Sequence, residues 1–498
     1  MTEMKERHDA TKSYRLARTF VQRLASGFFR QIDVTGLENI PEDRGGLIIS
    51  WHPNGLIDPG LILAQLPRPV VFGARHGLFR WPILGFFMRR LGTVPIFRAS
   101  DNKNVSPEER RKANEDSLKL LADKIATGSY SALFPEGVSH DAPHLQDLKK
   151  GGARLFYQAC RASADPDKPP VIIPVGLHYD RKRAFRSRAL VWFHPPVALE
   201  GSLKPLTTSL DHKQAEEQVT ELTNKFEEVL DHVVHATDDW ETHFLMHRLR
   251  KLVRSQRAKL AGAKSKRPDI TEKTLGFARI RQGYYQLLAE KPGEVMALRK
   301  RVENYDADLR ELKLDDHHLD QDPKLVSPWL AALLLLQAVF VFLLLPPVLI
   351  FGYLANGPTA LALWGLARFS AKQKKDEATI KILAGAIAFP MTWMLAAFLG
   401  ALGHQHVHSY FPGIPNSPLI GGTLVALLAA LGGMAALRYM HLSRQTIRAL
   451  KIRLTRRRRR AAIAHLKVER QEIFDAVIAL SSRLDLPGEV QNDGSIQL

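Results

Sequence analysis

Apolar residues fall into three rhythms along this 498-residue chain. Residues 46–50, 70–72, 93–97, 131–134, 171–175 and 189–193 are short apolar runs, separated by amphipathic stretches such as 107–126 and 150–164. Short buried runs joined by helix-length segments predict one α/β domain over residues 35–208, a central mixed sheet flanked by helices. From 209 to 325 the period lengthens. Leu222, Phe226, Val229, Leu230 and Val233 mark one helix face, 243–260 forms a second and strongly basic helix, and no strand pattern appears. This is a helical extension.

The third rhythm is continuous. Residues 329–351 carry no charge and are long enough to cross a bilayer, although Pro346-Pro347 interrupts them. Asn356-Gly357-Pro358 predicts a turn before a further apolar piece at 359–367, and runs 382–403 and 419–437 follow. Residues 326–440 therefore predict an α-helical transmembrane region, and 441–498 a basic helical segment. At the other end, Leu16, Phe20, Val21, Leu24, Phe28 and Phe29 recur at helical spacing among basic residues. Residues 1–34 predict an amphipathic helix lying in a membrane interface, with an ordinary surface helix as the competing reading.

Charge sets the expected topology. Lys and Arg number 70 against 51 Asp and Glu, a net charge of +19, which suits nucleic acid, anionic headgroups or phosphorylated substrates. The first 13 residues are charged and lack the apolar core of a signal peptide, so the first domain is expected on the cytosolic side. Residues 368–381 hold Arg368, Lys372, Lys374, Lys375 and Lys381, whereas 404–418 hold no Lys or Arg. Basic connectors stay inside. An even number of crossings before residue 368 satisfies that rule, with residues 329–366 folded as a hairpin or re-entrant pair at the prolines and Asn356-Gly357. The runs 382–403 and 419–437 then form a second hairpin, giving a multi-pass protein whose first domain faces the cytoplasm. The arginine run Arg456 to Arg460 follows a span, where such clusters bind anionic lipid; no nucleic-acid partner is expected. His404, His406 and His408 are expected on a solvated loop. Cys160 is the single cysteine, which excludes an internal disulfide and a Cys-based metal cluster, and no metal site is expected.

Candidate chemistry is concentrated after the predicted strands. His52 and Asp58, in Ser50-Trp51-His52-Pro53-Asn54-Gly55-Leu56-Ile57-Asp58-Pro59, are a possible general base and the carboxylate that orients it. Arg98 ends the strand Gly92-Thr93-Val94-Pro95-Ile96-Phe97, where a guanidinium can clamp a phosphate. Leu133-Phe134-Pro135-Glu136-Gly137-Val138-Ser139-His140-Asp141 turns sharply and presents Glu136 and Ser139. Lys149, Gly151 and Gly152 open a helix whose N-terminus favours anions, and Ile172-Ile173-Pro174-Val175-Gly176 is a buried strand ending in a turn.

In that order the four blocks resemble the phospholipid/glycerol acyltransferase family, over about residues 35–440. One departure is informative. Most members have four residues between His and Asp, and here there are five, a spacing similar to the membrane-bound fungal-type branch that acylates glycerol 3-phosphate or dihydroxyacetone phosphate. Leu148-Lys149, Phe185-Arg186-Ser187-Arg188, Asp239-Trp240-Glu241-Thr242 and Leu312 to His317 strengthen the likeness to that branch. The resemblance implies transfer of a fatty acyl group from acyl-CoA, a co-substrate, to a phosphorylated three-carbon acceptor in phospholipid biosynthesis, with no further cofactor. His52 would take the hydroxyl proton and Asp58 would hold the imidazole. Arg98 would bind the acceptor phosphate, Glu136 and Gly137 would shape its site, and Ser139 and Lys149 would assist. A 1-acylglycerol 3-phosphate acceptor is the alternative within the class. A non-catalytic scaffold binding anionic lipid is the alternative outside it, but such a scaffold needs neither the His52/Asp58 pair nor Arg98 and Glu136.

Overall fold

The computed structural model describes residues 11–97, 106–205, 211–263, 268–320, 328–370 and 377–498. They form two compact units, Met1–Trp240 with Gln373–Thr379, and Glu241–Lys372 with Ile380–Leu498.

In the first unit, helix α1 (Lys12–Phe28) precedes seven strands: β1 (Gln31–Thr35), β2 (Gly46–Ser50), β3 (Val70–Arg75), β4 (Val94–Ile96), β5 (Tyr130–Leu133), β6 (Val171–Tyr179) and β7 (Arg188–Phe193). They make one sheet in the order β1-β7-β6-β2-β5-β3-β4. β6 and β7 pair antiparallel and every other pair is parallel, which makes the sheet mixed. Helices α2 (Ile57–Gln65), α3 (Pro82–Arg90), α4 (Pro107–Ala126), α5 (Gly151–Ala162) and α6 (His212–Val234) connect or flank the strands. Parallel neighbours need such crossovers, and the strands they cover are apolar on both faces. Leu47 and Ile49 of β2 pack with Leu121, Phe156, Phe226 and Leu230 from α4, α5 and α6. Each such side chain contributes about 1.5–3 kcal/mol when fully buried. β2 sits between β6 and β5 with its axis parallel to both, so the C-terminal ends of three strands open at one edge. Ligand sites of open α/β sheets form at such an edge.

Helix α1 is docked rather than free. Arg18 donates to the carbonyls of Leu63 and Leu66 at 3.1 and 2.6 Å and so caps the C-terminus of α2. Its other face leaves Leu16 73% exposed, and Phe20 stacks on Phe87 of α3 at 4.6 Å beside exposed Trp81 and Phe86. Packing and an exposed apolar face thus coexist on one helix.

The second unit is helical, with α7 (Trp240–Leu260), α8 (Ile270–Glu290), α9 (Pro292–Glu311), α10 (Pro328–Val339), α11 (Leu345–Ser370), α12 (Glu377–Tyr410), α13 (Pro418–Arg458) and α14 (Arg460–Ser481). A short hairpin, β8 (Glu489–Val490) with β9 (Ile496–Gln497), ends the chain. Leu252, Val302, Tyr305 and Leu309 of the extension share one core with Ile452, Ile463, Leu466, Ile473 and Phe474. Arg470 is fully buried there and donates to Gln256, to the Asp316 carbonyl and to both Asp320 oxygens. The C-terminal segment is therefore part of a core.

Among the described residues, three helices are long and apolar enough to cross a membrane: Leu349–Ser370, Thr379–Tyr410 and Pro418–Ile452. The turn expected at Asn356-Gly357-Pro358 is absent, and with it the hairpin or re-entrant pair expected over residues 329–366. α10 continues through a π-helical turn, Phe340–Leu344, directly into α11, which keeps Pro358 inside it. Pro346-Pro347 falls just after the π turn, where the hydrogen-bond register already shifts. Asn356 is buried and bonds to neighbouring helices, donating to the Ala429 carbonyl at 2.8 Å and accepting from Trp393 at 3.0 Å. Gly352 lies against Gly432, where a Cβ would stand 2.5 Å from the Gly432 carbonyl oxygen. Asn-Gly-Pro is a turn signal in water. Among apolar helices the backbone has no water to bond, so helix is retained and Asn356 joins helices instead. His404, His406 and His408, expected on a loop, lie in the last turns of α12, and His404 and His408 bond to the short 411–417 connector.

Candidate active site

The open edge of the sheet collects side chains from three adjacent strands. His52 follows β2, and Asp58 stands in the first turn of α2, where a carboxylate suits the helix dipole. Gly55 makes the bend between them at φ 53°, a conformation that favours glycine. Five intervening residues are thus accommodated by a left-handed turn followed by the helix start, and His52 Nδ1 reaches Asp58 Oδ2 at 2.8 Å.

Asp58 is fully buried and accepts two further hydrogen bonds, from the Asn54 backbone N–H at 2.6 Å and from the Tyr179 hydroxyl at 2.5 Å. Burial, then the charge and hydrogen bond of Asp58, push the Tyr179 phenol well above 10, so it donates and does not ionise. A carboxylate on Nδ1 fixes the neutral imidazole as the Nδ1–H tautomer and leaves the Nε2 lone pair free to take a proton. The imidazole lies flat on Phe134, centroids 4.1 Å apart, which fixes its plane. Its side chain is 17% exposed, enough for access and too little for free rotation.

Glu136, 1% exposed, holds this loop from below. Its Oε2 accepts from the His52 backbone N–H at 3.0 Å, and its Oε1 accepts from the Gln146 N–H at 2.9 Å and bonds His140 at 2.6 Å. The His140 N–H returns to the His52 carbonyl at 3.0 Å. Gly137, at φ 70°, closes the turn by donating to the Phe134 carbonyl at 2.9 Å. The Lys149 stem passes 3.7 Å from where a Gly137 Cβ would stand, and its backbone N–H binds the Pro135 carbonyl. Ser139 is partly buried on the same turn. His52, Asp58, Glu136, Gly137, Ser139 and Lys149 are thus held on two adjoining strand-end loops. Arg98 lies outside the described residues; Phe97 just before it is clamped by two hydrogen bonds with Asn114 of α4.

Sequence reasoning missed Tyr179 and the loop beyond it. The Asn54 side chain donates to the Lys182 carbonyl at 3.0 Å, and Asp141 pairs with both Lys182 and Arg183. Burial alone would raise the Asp141 carboxyl, but bonding and charge from Lys182 and then Arg183 hold it below the usual 3.8. Two cations are therefore anchored on the loop that touches the His52 turn. The signal was present as Arg181-Lys182-Arg183, separated by five residues from the predicted strand 171–175, which extends to Tyr179 in the fold. Among the described residues, Asp315, His317 and His318 are close enough to share a metal ion, and they belong to the second unit.

Residues 31–178, which carry the His–Asp pair and the Pro-Glu-Gly turn, match the Acyltransferase family model. The chain is similar to the glycerol-3-phosphate O-acyltransferase 2 of Saccharomyces cerevisiae, 28% identical over 59% of this chain and 51% of that protein. It is also similar to an uncharacterized acyltransferase of Schizosaccharomyces pombe, 24% identical over 92% of this chain and 79% of that one. A chloroplastic 1-acyl-sn-glycerol-3-phosphate acyltransferase of Arabidopsis thaliana is 30% identical over 25% of this chain and 32% of its own length. The chain thus spans about half of the budding-yeast relative. Its likeness is to the fungal-type branch of the family.

Proposed function

We propose that this protein is an integral membrane glycerolipid O-acyltransferase, transferring a fatty acyl group from acyl-CoA to glycerol 3-phosphate or dihydroxyacetone phosphate. The observation that carries the reading is the His52–Asp58–Tyr179 chain, which orients one imidazole whose Nε2 has no partner among the described residues. The acceptor hydroxyl loses its proton to Nε2 as its oxygen attacks the thioester carbonyl carbon. The tetrahedral oxyanion then collapses, the C–S bond breaks, and the imidazolium returns the proton to the thiolate, leaving an ester and a free thiol. Thiolate leaves readily, so no nucleophilic Ser or Cys is required. Cys160 fits that economy: burial pushes its thiol up to about 12. Arg98, Lys182 and Arg183 supply cations for the acceptor phosphate, while Glu136 and Gly137 shape its site by fixing the loop that carries His52.

The acceptor is decided by competition. Purified protein with acyl-CoA is offered glycerol 3-phosphate, dihydroxyacetone phosphate and lysophosphatidate together, with His52→Ala as the control. Glycerol 3-phosphate product is expected to dominate. Product chiefly from lysophosphatidate would move the protein to the second acceptor class, and lipid binding without turnover on any acceptor would sink the enzyme reading.

The cytoplasmic placement rests on packing as well as charge. Leu309 and Leu319 of the extension share a core with Ile452 and Ile473, which supports both ends of the apolar region on one side, with two of the three long apolar helices crossing completely and one not. α10–α11 runs antiparallel to α13, with Gln337 bonded to Thr446 and Asn356 to Ala429. Cysteines introduced at Glu290 and Arg483 should react with a membrane-impermeant maleimide from the same face of sealed vesicles; labelling from opposite faces would refute this topology.

A further inference from the structure

The second unit contains a cavity that the acyl-transfer reading does not use. It is a half-open cleft between α7, α8, α9, α14 and the terminal hairpin, with about 830 Å³ free of protein atoms when the open solvent at its mouth is included. Gly276 and Gly283 stand two helical turns apart on α8 and both line it, which removes side chains from one wall. Most of the remaining wall is aliphatic.

The charged part of the wall is one-sided. Arg250, Arg254, Arg257 and Arg279 line the cavity with a single carboxylate, Glu272. Glu272 pairs with Arg254 Nε, yet Arg254 Nη1 is buried without a hydrogen-bond partner. Arg279 is held by the carbonyls of Leu486, Pro487 and Gly488, with Asp485 acting on it at longer range. Exposed Asp493 is the other acid whose charge couples to Arg254. No carboxylate lies within ion-pair distance of Arg257 among the described residues. Burial, then the charges of Arg279 and Arg254, lower Arg257 to about 10. Holding like charges together beside alkyl side chains is costly unless an anion joins them.

We propose that this cavity binds a single-chain lipid with an anionic head. Its alkyl chain lies among Val253, Ile280, Leu287, Leu298, Leu480 and Leu486, and its carboxylate or phosphate sits on Arg254 and Arg257. An uncharged chain leaves Arg257 and the Nη1 of Arg254 without an anion, and a chainless phosphate leaves the aliphatic wall wet. Only an amphiphile satisfies both. A free fatty acid and a lysophosphatidate share that chemistry.

The test uses the full-length protein in phosphatidylcholine nanodiscs with a diazirine-bearing palmitate as probe. Adducts mapped by mass spectrometry are expected on residues 276–298, competed by oleate and not by methyl oleate. Oleate acting at lower concentration than oleoyl lysophosphatidate assigns the head as a carboxylate, and the reverse assigns a phosphate. Arg257→Met removes a cation that has no carboxylate partner among the described residues, so the fold should hold while labelling of 276–298 falls at least tenfold. Gly283→Leu fills the cavity with all four arginines in place and should do the same. Adducts confined to residues 31–178 or 328–452, or equal competition by methyl oleate, would overturn the proposal. Those readings come from the unmutated chain and hold even if a variant misfolds. Undiminished labelling in both folded variants would overturn it as well.

Discussion

Asp58 and Arg470 are both fully excluded from solvent, one in each unit, and their surroundings differ in a way that separates chemistry from architecture. Asp58 accepts from a backbone N–H, a phenol and an imidazole, and the other imidazole nitrogen has no hydrogen-bond partner among the described residues. Arg470 spends Nε, Nη1 and Nη2 on Gln256, the Asp316 carbonyl and Asp320, all parts of the same helical core. A buried charge whose network ends in an unfilled valence can act on a substrate. One whose network closes on itself fixes packing.

The largest expected effect breaks the first network. Asp58→Asn should lower kcat by about 10²–10⁴-fold, because an amide no longer enforces the Nδ1–H tautomer or steadies the imidazolium. The melting temperature should move little beside that loss. Tyr179→Phe removes one donor to the same carboxylate and should cost roughly tenfold in kcat. Steady-state rates checked against thermal melts decide the matter: if Asp58→Asn loses stability and activity in proportion, Asp58 belongs with Arg470.

Arg470→Met probes the other side. Leaving Asp320 without its partner should cost about 3 kcal/mol of stability, the lower end for a broken buried pair because Asp320 is 20% exposed. The kcat per folded molecule should be unchanged. Adding Asp320→Ala should recover part of the loss, since the double variant strands no charge. Denaturant unfolding followed by helix content reads this directly, and a kcat that fell with Arg470 would mean that the helical core positions the site.

How much was legible in the sequence follows the same division. The runs that became β2 to β7 were readable because strands covered on both faces are apolar throughout, and the 107–126 helix because its stretch is amphipathic and of helix length; the capping box of Ser106 and Glu109 fixes its start. The site loops were readable because His, Asp and Glu beside apolar strands have few other uses. β1 was not, since Gln31 and Asp33 make a polar edge strand that pairs only with distant β7. Tyr179 was hidden because a tyrosine at a strand end reads as ordinary core, and its role depends on β6 lying next to β2. Asn356-Gly357-Pro358 misled for a different reason: local turn chemistry assumes water, and the partners of Asn356 come from helices much later in the chain. Local pattern found elements and reactive groups, and only the fold could say which polar residues had been drawn into packing.

The smallest effect sharpens the boundary between these two kinds of network. Asp141 is intermediate, a third exposed, and tied to Lys182 and Arg183 on the loop that contacts Asn54. Asp141→Asn should weaken that anchoring by about 1 kcal/mol. If the loop cations serve the acceptor phosphate, the change appears as roughly a fivefold rise in acceptor KM. The acyl-CoA KM and kcat should hardly move. The pH dependence has a definite sign. A carboxyl held below 3.8 stays charged above its lowered pKa, so the tie contributes at all pH values above the ordinary carboxylate range. It is lost only as pH falls through that lowered pKa, and the wild-type acceptor KM should therefore show no Asp141-dependent change between pH 5 and 8. A kcat effect without a KM effect would place the Asp141 loop with the His52 machinery, and no effect on either would reduce it to an ordinary surface ion pair.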